Sequence, residues 1–264
     1  MPLSNNKKKV GIFGLTGCGG DQLAIIHAED ELLNLFESLD IRSFSMADSS
    51  CSNDNLDIAL VEGSVSSREQ AQHVKDIRKR TAVLIAMGTC ACYGGIQAMD
   101  PERWDQRFRK VYGGESFINS TPVVSQAVDS CVKVDFYLPG CPIDIRQCLT
   151  SLAHVVRGTE PVMPDYPVCA ECRWKENDCL LLHGILCLGP VTAAGCGAAC
   201  PSRRLPCMGC WGSFENGNIT AQYQVLTEKG YPEKEIRRRM HIFAGKGLLD
   251  PVKEQGGLYA KNNH

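Results

Sequence analysis

Short apolar runs alternate with longer amphipathic stretches along roughly the first 160 residues of the chain. Five of the runs are rich in β-branched or other apolar residues and are bounded by glycine or polar residues, which is typical of buried strands. These predicted strands are Val10–Phe13, Ile41–Phe44, Ile58–Val61, Ala82–Ala86 and Val134–Tyr137.

Stretches with helical periodicity lie between and after these strands. The predicted helices are Asp21–Leu39, Ser67–Arg80, Val123–Cys131, Asp144–Val156, Thr220–Lys229 and Pro232–Ala244. Strands that alternate with helices form parallel sheets with helices on both faces. The sequence therefore predicts an α/β fold with a flavodoxin-like, doubly wound parallel sheet.

Four unusual segments follow predicted strands, where parallel sheets place their ligands. They read GLTGCGGD after the first strand, VEGSV after the third, MGTCACYGG after the fourth and YLPGCP after the fifth. We therefore expect Cys18, Glu62, Cys90 and Cys141 to meet at one edge of the sheet.

Glycines are frequent in these segments. An iron–sulfur cluster accepts hydrogen bonds from backbone N–H groups, and glycine lets the backbone approach it closely. Tight turns would require the same residue type, so both explanations stay open. The candidate cluster-binding glycines are Gly17, Gly19, Gly88 and Gly140, with Gly20 beside them.

Composition and charge narrow the function. The 264 residues carry a formal net charge of −2 without a basic stripe, which argues against nucleic acid as a partner. The sequence shows no apolar run long enough to cross a bilayer and no export signal at its start. We therefore predict no membrane span and a cytoplasmic location.

The 15 cysteines are the most informative residue type. Without an export signal, so many thiols are more typical of metal ligands than of disulfides. Eight of them crowd into 42 positions, and this change in density predicts two domains, 1–165 and 166–264. The eight are Cys169, Cys172, Cys179, Cys187, Cys196, Cys200, Cys207 and Cys210.

The spacing of the eight thiols suits two four-ligand sites. The blocks read C-x2-C-x6-C-x7-C and C-x3-C-x6-C-x2-C. A pair of structural zinc sites would use the same ligands. Pro190 and Pro201 closely follow cysteines in a glycine-rich segment, which favours iron–sulfur clusters. His183 is an alternative ligand within the first block, although a hydrogen bond behind the ligands suits it better.

The ordered motifs resemble one family along nearly the whole chain. GLTGCGGDQL, VEGSV, GTCACYGG, LPGCP, YPVCAEC, CLGPVTAAGC and PCMGC occur in that order. They are similar to the small, electron-transferring subunits of cytoplasmic nickel–iron hydrogenases, in the branch with sulfhydrogenases, coenzyme F-420-reducing hydrogenases and hydrogenases linked to heterodisulfide reductase. The resemblance implies that the second domain is a small ferredoxin-like iron–sulfur domain with C-terminal helices.

The resemblance also implies three 4Fe-4S clusters, with a nickel–iron centre in a partner subunit. The proximal cluster would be held by Cys18, Asp21, Cys90 and Cys141, the medial cluster by Cys196, Cys200, Cys207 and Cys210, and the distal cluster by Cys169, Cys172, Cys179 and Cys187. The other cysteines, Cys51, Cys92, Cys131 and Cys148, match no ligand position and are expected to act as small apolar residues.

Two acidic residues have open roles. Most relatives have a cysteine at the position of Asp21, although some F-420-reducing members use aspartate there as a cluster ligand. The alternative is that Asp21 is the N-cap of the following helix. Glu62 is a candidate for proton passage or for the subunit interface, with a helix cap or an ion pair as alternatives.

The resemblance implies an electron-transfer subunit of a nickel–iron hydrogenase. Dihydrogen would be activated in the large subunit, and electrons would pass through the three clusters to a flavoprotein, a ferredoxin-like subunit or a heterodisulfide-reductase-type subunit. Two alternatives remain at this point: a relay subunit of a quinone- or formate-linked complex, and a zinc-stabilised scaffold.

Overall fold

The computed structural model describes residues 7–28, 39–49, 52–99, 104–113 and 122–243. The chain divides into two compact units, Met1–Val162 and Met163–His264. Within the described ranges, every helix is too short or too polar to cross a lipid bilayer.

A five-stranded parallel sheet forms the centre of the first unit. The described strands of this unit are β1 (Lys8–Gly14), β2 (Leu39–Phe44), β3 (Leu56–Glu62), β4 (Val65–Ser67), β5 (Thr81–Met87), β6 (Pro122–Gln126) and β7 (Phe136–Leu138). The spatial order in the main sheet is β2-β1-β3-β5-β7, and all of its neighbours are parallel. This is the order of flavodoxin-like sheets, so the predicted fold class is confirmed. All five predicted strands belong to this sheet.

Helices cover both faces of the sheet. They are α1 (Gly20–Ile26), α2 (Arg68–Lys79), α3 (Gly88–Tyr93), α4 (Trp104–Tyr112) and α5 (Ile145–Val156). Successive residues of a strand point to opposite faces. Ile12 of β1 accordingly packs in one apolar cluster with Ile25 of α1 and Leu152 of α5. Phe13 packs in the other cluster with Val74 and Ile77 of α2.

Side-chain caps fix the starts of two predicted helices. The Ser67 side chain accepts a hydrogen bond from Gln70 N at the start of α2, and the Asp144 side chain accepts one from Gln147 N at the start of α5. Each such cap stabilises a helix by about 1 kcal/mol. The predicted bounds of these two helices agree with the structure to within one residue.

Two helix predictions need correction. The predicted helix Val123–Cys131 is wrong, because this stretch forms β6 and then a short 3-10 helix at Val128–Ser130. Its start pairs antiparallel with β4, and this tertiary pairing suits the β-branched Val123 and Val124 better than a helix does. The predicted helix Asp21–Leu39 is too long: α1 ends at Ile26 and Leu39 begins β2, while 29–38 lie outside the described residues.

The second unit contains cysteine-bearing loops and three described helices. They are α6 (Val168–Trp174), α7 (Ile219–Glu228) and α8 (Glu233–His241). Leu226 of α7 and Ile236 of α8 are fully buried and pack against Leu188 and Val191 from the cysteine-bearing loops. The two C-terminal helices are thus present where predicted, but the last one ends at His241 and does not continue to Ala244.

Candidate iron–sulfur sites

Three cysteines of the first unit lie just beyond the carboxyl ends of strands. Cys18 follows β1, Cys90 lies in α3 directly after β5, and Cys141 follows β7. The pKa of Cys141 is raised to about 11, mainly by burial and to a smaller extent by nearby Cys90, Asp21 and Cys18. Burial also raises the pKa of Cys90, against a hydrogen bond with Gln97 that lowers it. The structure therefore brings these three thiols and Asp21 together at one edge of the sheet.

Asp21 faces two of the cysteine-bearing loops rather than its own helix. Its Oδ1 accepts a hydrogen bond of 2.8 Å from Ile143 N, two residues beyond Cys141. Only 6% of the residue is exposed. The pKa of Asp21 is raised to about 6, and burial is the largest cause. The hydrogen bond from Ile143 N–H lowers this pKa, whereas the nearby charge of Glu62 raises it. The N-cap of α1 is Gly19, so the alternative that Asp21 caps this helix is wrong.

Glu62 lies at the end of β3 and is 2% exposed. Its Oε1 accepts a hydrogen bond of 3.3 Å from Asp21 N, and its Oε2 accepts one of 2.5 Å from Gln22 Nε2. The first N–H groups of a helix lack partners within the helix. Glu62 thus satisfies one of them, which agrees with the helix-cap alternative. Its role in proton passage or at an interface stays a prediction.

Two glycines lie so close to candidate ligands that no side chain fits. A Cβ on Gly88 would stand 1.8 Å from Asp21 Oδ2, and a Cβ on Gly95 would stand 2.6 Å from Cys90 Sγ. Both residues have a positive φ, 82° and 66°. The sequence analysis predicted a role for Gly88 but missed Gly95. The pair Gly94–Gly95 gave no indication that Gly95 lies next to the thiol of Cys90.

Gly17, Gly19 and Gly140 lie close to atoms other than the candidate ligands. Gly19 has a φ of 75° at the N-cap of α1. A Cβ on Gly17 would contact Gly63 Cα at 3.4 Å, and one on Gly140 would stand 2.7 Å from Ile143 Cα. Binding of a cluster by Gly17, Gly19 and Gly140 stays a prediction.

We expect Gly88→Ala to destabilise the first unit more than Gly158→Ala does. Both positions have positive φ, which costs a non-glycine residue about 1–2 kcal/mol. Only at Gly88 would the new methyl group also collide with a buried carboxylate, whereas at Gly158 nothing lies within 4 Å. Urea unfolding of the two variants measures the difference. Equal losses would show that the contact between Gly88 and Asp21 is not tight.

Gln97 is a further neighbour of the thiols that the sequence did not indicate. Its Nε2 donates to Thr16 O at 3.0 Å and lies 3.7 Å from Cys90 Sγ. The side chain thus links the loop after β1 to the thiol after β5. A glutamine in a short 3-10 helix belongs to no recognisable motif, so no signal in the sequence pointed to it.

The first four cysteines of the second unit surround one cavity. Its lining includes all four of these thiols together with Asp178, Gly189 and Pro190, and the four are Cys169, Cys172, Cys179 and Cys187. A Cβ on Gly189 would stand 3.1 Å from Cys169 Sγ and 3.7 Å from Cys187 Sγ. Burial raises the pKa of Cys169 to about 12, with Cys187 as the next cause. His183 contacts Asp178 Oδ2 through Nε2 at 2.6 Å, and both side chains are mostly exposed, so its role behind the ligands stays a prediction.

The last four cysteines lie in two pairs. Burial is the largest cause of the raised pKa of Cys196, and a hydrogen bond from Ala199 N–H opposes it. The nearby carboxylate of Glu171 and the thiol of Cys200 raise this pKa further. Burial likewise raises the pKa of Cys207, which lies near Cys187 and Cys210. The two sets of four meet directly, because Cys207 N donates a hydrogen bond of 3.2 Å to Cys187 Sγ.

The remaining cysteines have apolar surroundings. Cys92 is 2% exposed and Cys148 is 1% exposed, and the two lie in the cores on opposite faces of the sheet. Cys131 is partly buried against the core that contains Cys92. Cys51 lies outside the described residues.

The donors and the space around them fit clusters. Thiolates are the usual ligands of iron–sulfur clusters, and glycines at Gly95 and Gly189 leave room beside the sulfur atoms. In the part of the chain that the structure describes, no three His, Cys, Asp or Glu side chains converge as they would around a single metal ion. A cubane asks for a wider arrangement, since each thiolate binds a different iron atom.

Comparisons with known proteins identify the family. A family model described as NADH ubiquinone oxidoreductase, 20 Kd subunit, matches residues 18–155. The chain is 42% identical over 241 residues to sulfhydrogenase 2 subunit delta of Pyrococcus furiosus, and the match covers 89% of this chain and 99% of that protein. The chain belongs to the family of nickel–iron hydrogenase small subunits.

Further members of the family support this assignment. A vhu subunit of the F420-non-reducing hydrogenase of Methanocaldococcus jannaschii is 32% identical over 237 residues, with 78% of this chain and 82% of that protein covered. The iron-sulfur subunit of the F420-non-reducing hydrogenase of Archaeoglobus profundus is 27% identical over 294 residues, with 87% and 92% covered.

A solved structure of an NAD+-reducing NiFe hydrogenase in the H2-reduced state has the same fold. It aligns with a TM-score of 0.54 and 27% identity over 60% of this chain and 96% of the solved chain. The protein is thus a hydrogenase subunit of the nickel–iron type, and the resemblance noted in the sequence is confirmed.

Proposed function

We propose that this hydrogenase subunit relays electrons through three 4Fe-4S clusters. The observation that carries the proposal is the convergence of Cys169, Cys172, Cys179 and Cys187 on one cavity. The Archaeoglobus profundus relative, which matches most of this chain, is named as an iron-sulfur subunit. Relatives that are hydrogenase subunits favour this function over a quinone- or formate-linked relay.

The proposed ligands follow the three groups of thiols. In the first unit, Cys18, Cys90 and Cys141 would hold the proximal cluster, with Asp21 as the fourth ligand. In the second unit, the cavity would hold the distal cluster, and the two remaining cysteine pairs the medial cluster. Such clusters accept and release single electrons at potentials set by their surroundings.

Other residues of this chain would hold the ligand thiols in position and adjust the reduction potentials of the clusters. The raised pKa values of Cys141 and Cys169 mean that these two thiols are protonated without metal, so cluster assembly releases their protons. Gly88, Gly95 and Gly189 keep side chains away from the ligands. The N–H of Cys207 points at the sulfur of Cys187, and such hydrogen bonds raise the potential of a cluster.

We further propose that the proximal edge of the first unit faces a large subunit with the nickel–iron centre. Electrons from dihydrogen would enter there, and they would leave to a flavoprotein, a ferredoxin-like subunit or a heterodisulfide-reductase-type subunit. The exposed Cys18 at this edge supports a covered position in a complex, because iron–sulfur clusters are usually shielded from solvent. A cytoplasmic location is part of the same proposal.

Metal analysis tests the proposal and separates it from a zinc scaffold. We expect the complex, purified without oxygen, to contain about 12 iron atoms and about 12 acid-labile sulfides in this subunit, since each 4Fe-4S cluster holds four of each. Zinc without labile sulfide would support the scaffold instead. The partner's own iron is subtracted by separating the subunits before analysis.

A further inference from the structure

Glu171 lies between Cys169 and Cys172 on α6, but its carboxylate binds the loop that carries Cys196. Only 8% of the residue is exposed. Its Oε1 accepts a hydrogen bond of 2.8 Å from Gly195 N, and its Oε2 accepts one of 2.9 Å from Ala198 N. The sulfur of Cys196 lies 3.9 Å from Oε2. Both oxygen atoms of a buried carboxylate are therefore used to hold the backbone on either side of Cys196.

The loop that Glu171 holds has an unfavourable backbone. The φ angles of Gly195, Gly197 and Ala198 are 129°, 61° and 49°. The left-handed conformation of Ala198 costs about 1–2 kcal/mol and persists only where the surroundings enforce it. A second side chain from the end of the same helix helps, because Lys175 Nζ donates to Gly197 O at 2.5 Å.

We propose that Glu171 is a positioning residue that fixes Cys196 for the medial cluster from the helix that carries distal ligands. This inference rests on the proposed function, because it assigns Cys196 to a cluster. Two backbone donors meet two carboxylate oxygen atoms, an arrangement that glutamine cannot reproduce, since its NH2 group would face one of the two N–H groups. The negative charge beside Cys196 also favours the oxidised state of the medial cluster and lowers its potential.

The test compares Glu171→Gln with Glu228→Gln in the complete complex. Glu228 is an exposed glutamate at the end of α7. In Glu171→Gln we expect hydrogen exchange of the segment with Gly195 and Ala198 to become at least about tenfold faster, because hydrogen bonds to a charged group are lost. We also expect the midpoint potential of one cluster to shift upwards, while the other two keep theirs. Glu228→Gln should change neither quantity.

The Glu171→Asp variant separates the effect of the negative charge from the effect of side-chain length. Glu171→Asp keeps the charge, so we expect faster exchange in the same segment with a smaller shift in potential than in Glu171→Gln. This variant also tests the inference if Glu171→Gln does not fold. Wild-type exchange at Gly195 and Ala198 in both variants, or equal shifts of all clusters, would overturn the inference. Absence of iron from the wild-type protein would instead contradict the proposed function. In that case, the exchange measurement would still test whether Glu171 holds Gly195 N and Ala198 N.

Discussion

Replacing Cys187 by alanine is expected to lower hydrogen-dependent reduction of the electron acceptor by at least about 100-fold. Loss of a residue that supports a metal ligand typically costs about 10–100-fold, and in our proposal Cys187 both binds one cluster and supports a ligand of the next. Its sulfur lines the cavity of the distal thiols and accepts the N–H of a medial cysteine. We expect the iron content to fall by about four atoms per chain. Exchange of dihydrogen with deuterium, which requires only the large subunit in our proposal, should persist.

Cys148→Ala is the matched control for this experiment. It removes the same side chain from a position that is 1% exposed and lies in the apolar core of the first unit. We expect a modest loss of stability from the cavity, with the iron content and electron transfer of the wild type. If both variants lose iron equally, or if Cys187→Ala keeps all of it, Cys187 is not a cluster ligand.

Asp21→Asn is expected to release iron from one cluster and to slow electron transfer by about 10–100-fold. Asparagine is the same size and still offers an oxygen atom to Ile143 N, so the contact between the loops is retained. The neutral amide, however, is a much weaker ligand for iron than a carboxylate is. Iron analysis and potentiometry of the complex measure both effects.

Asp21→Cys provides the opposite change at the same position. A thiolate is a softer ligand than a carboxylate, so we expect a full iron content, a more tightly held cluster and an altered potential for one cluster only. Wild-type iron content and potentials in Asp21→Asn would mean that Asp21 only ties the loop after β7 to α1. In that case the proximal cluster would need a different fourth ligand.

The sheet could be predicted from the sequence because its strands are short, buried on both faces and separated by helices. Val10–Phe13 and Ile58–Val61, for example, are nearly continuous apolar runs, as central parallel strands require. Once the sheet was known, topology alone placed Cys18, Cys90 and Cys141 at one edge. The spacing of the first four thiols of the second unit indicated that they form one group, and they line one cavity.

The errors and omissions depend on contacts between distant residues. Val123–Cys131 has a helical pattern, but its register with β4 decides its conformation. Glu171 and Gln97 act through backbone groups 24 and 81 residues away, and such contacts leave no pattern in the local sequence. Asp21 also suited an N-cap by its spacing, and only the observed N-cap of α1 at Gly19 excluded that alternative.

In the proposed relay, the hydrogen bond between Cys207 and Cys187 would offer electrons a short path for tunnelling. If both thiol sets carry metal, the route from one ligand to the next runs along the covalent bonds of Cys207 and crosses a single gap of 3.2 Å. Tunnelling decays far less along bonds and hydrogen bonds than across empty space. Because the donor is a main-chain N–H, substitution of the Cys207 side chain would keep this donor, whereas substitution of Cys187 would remove the acceptor.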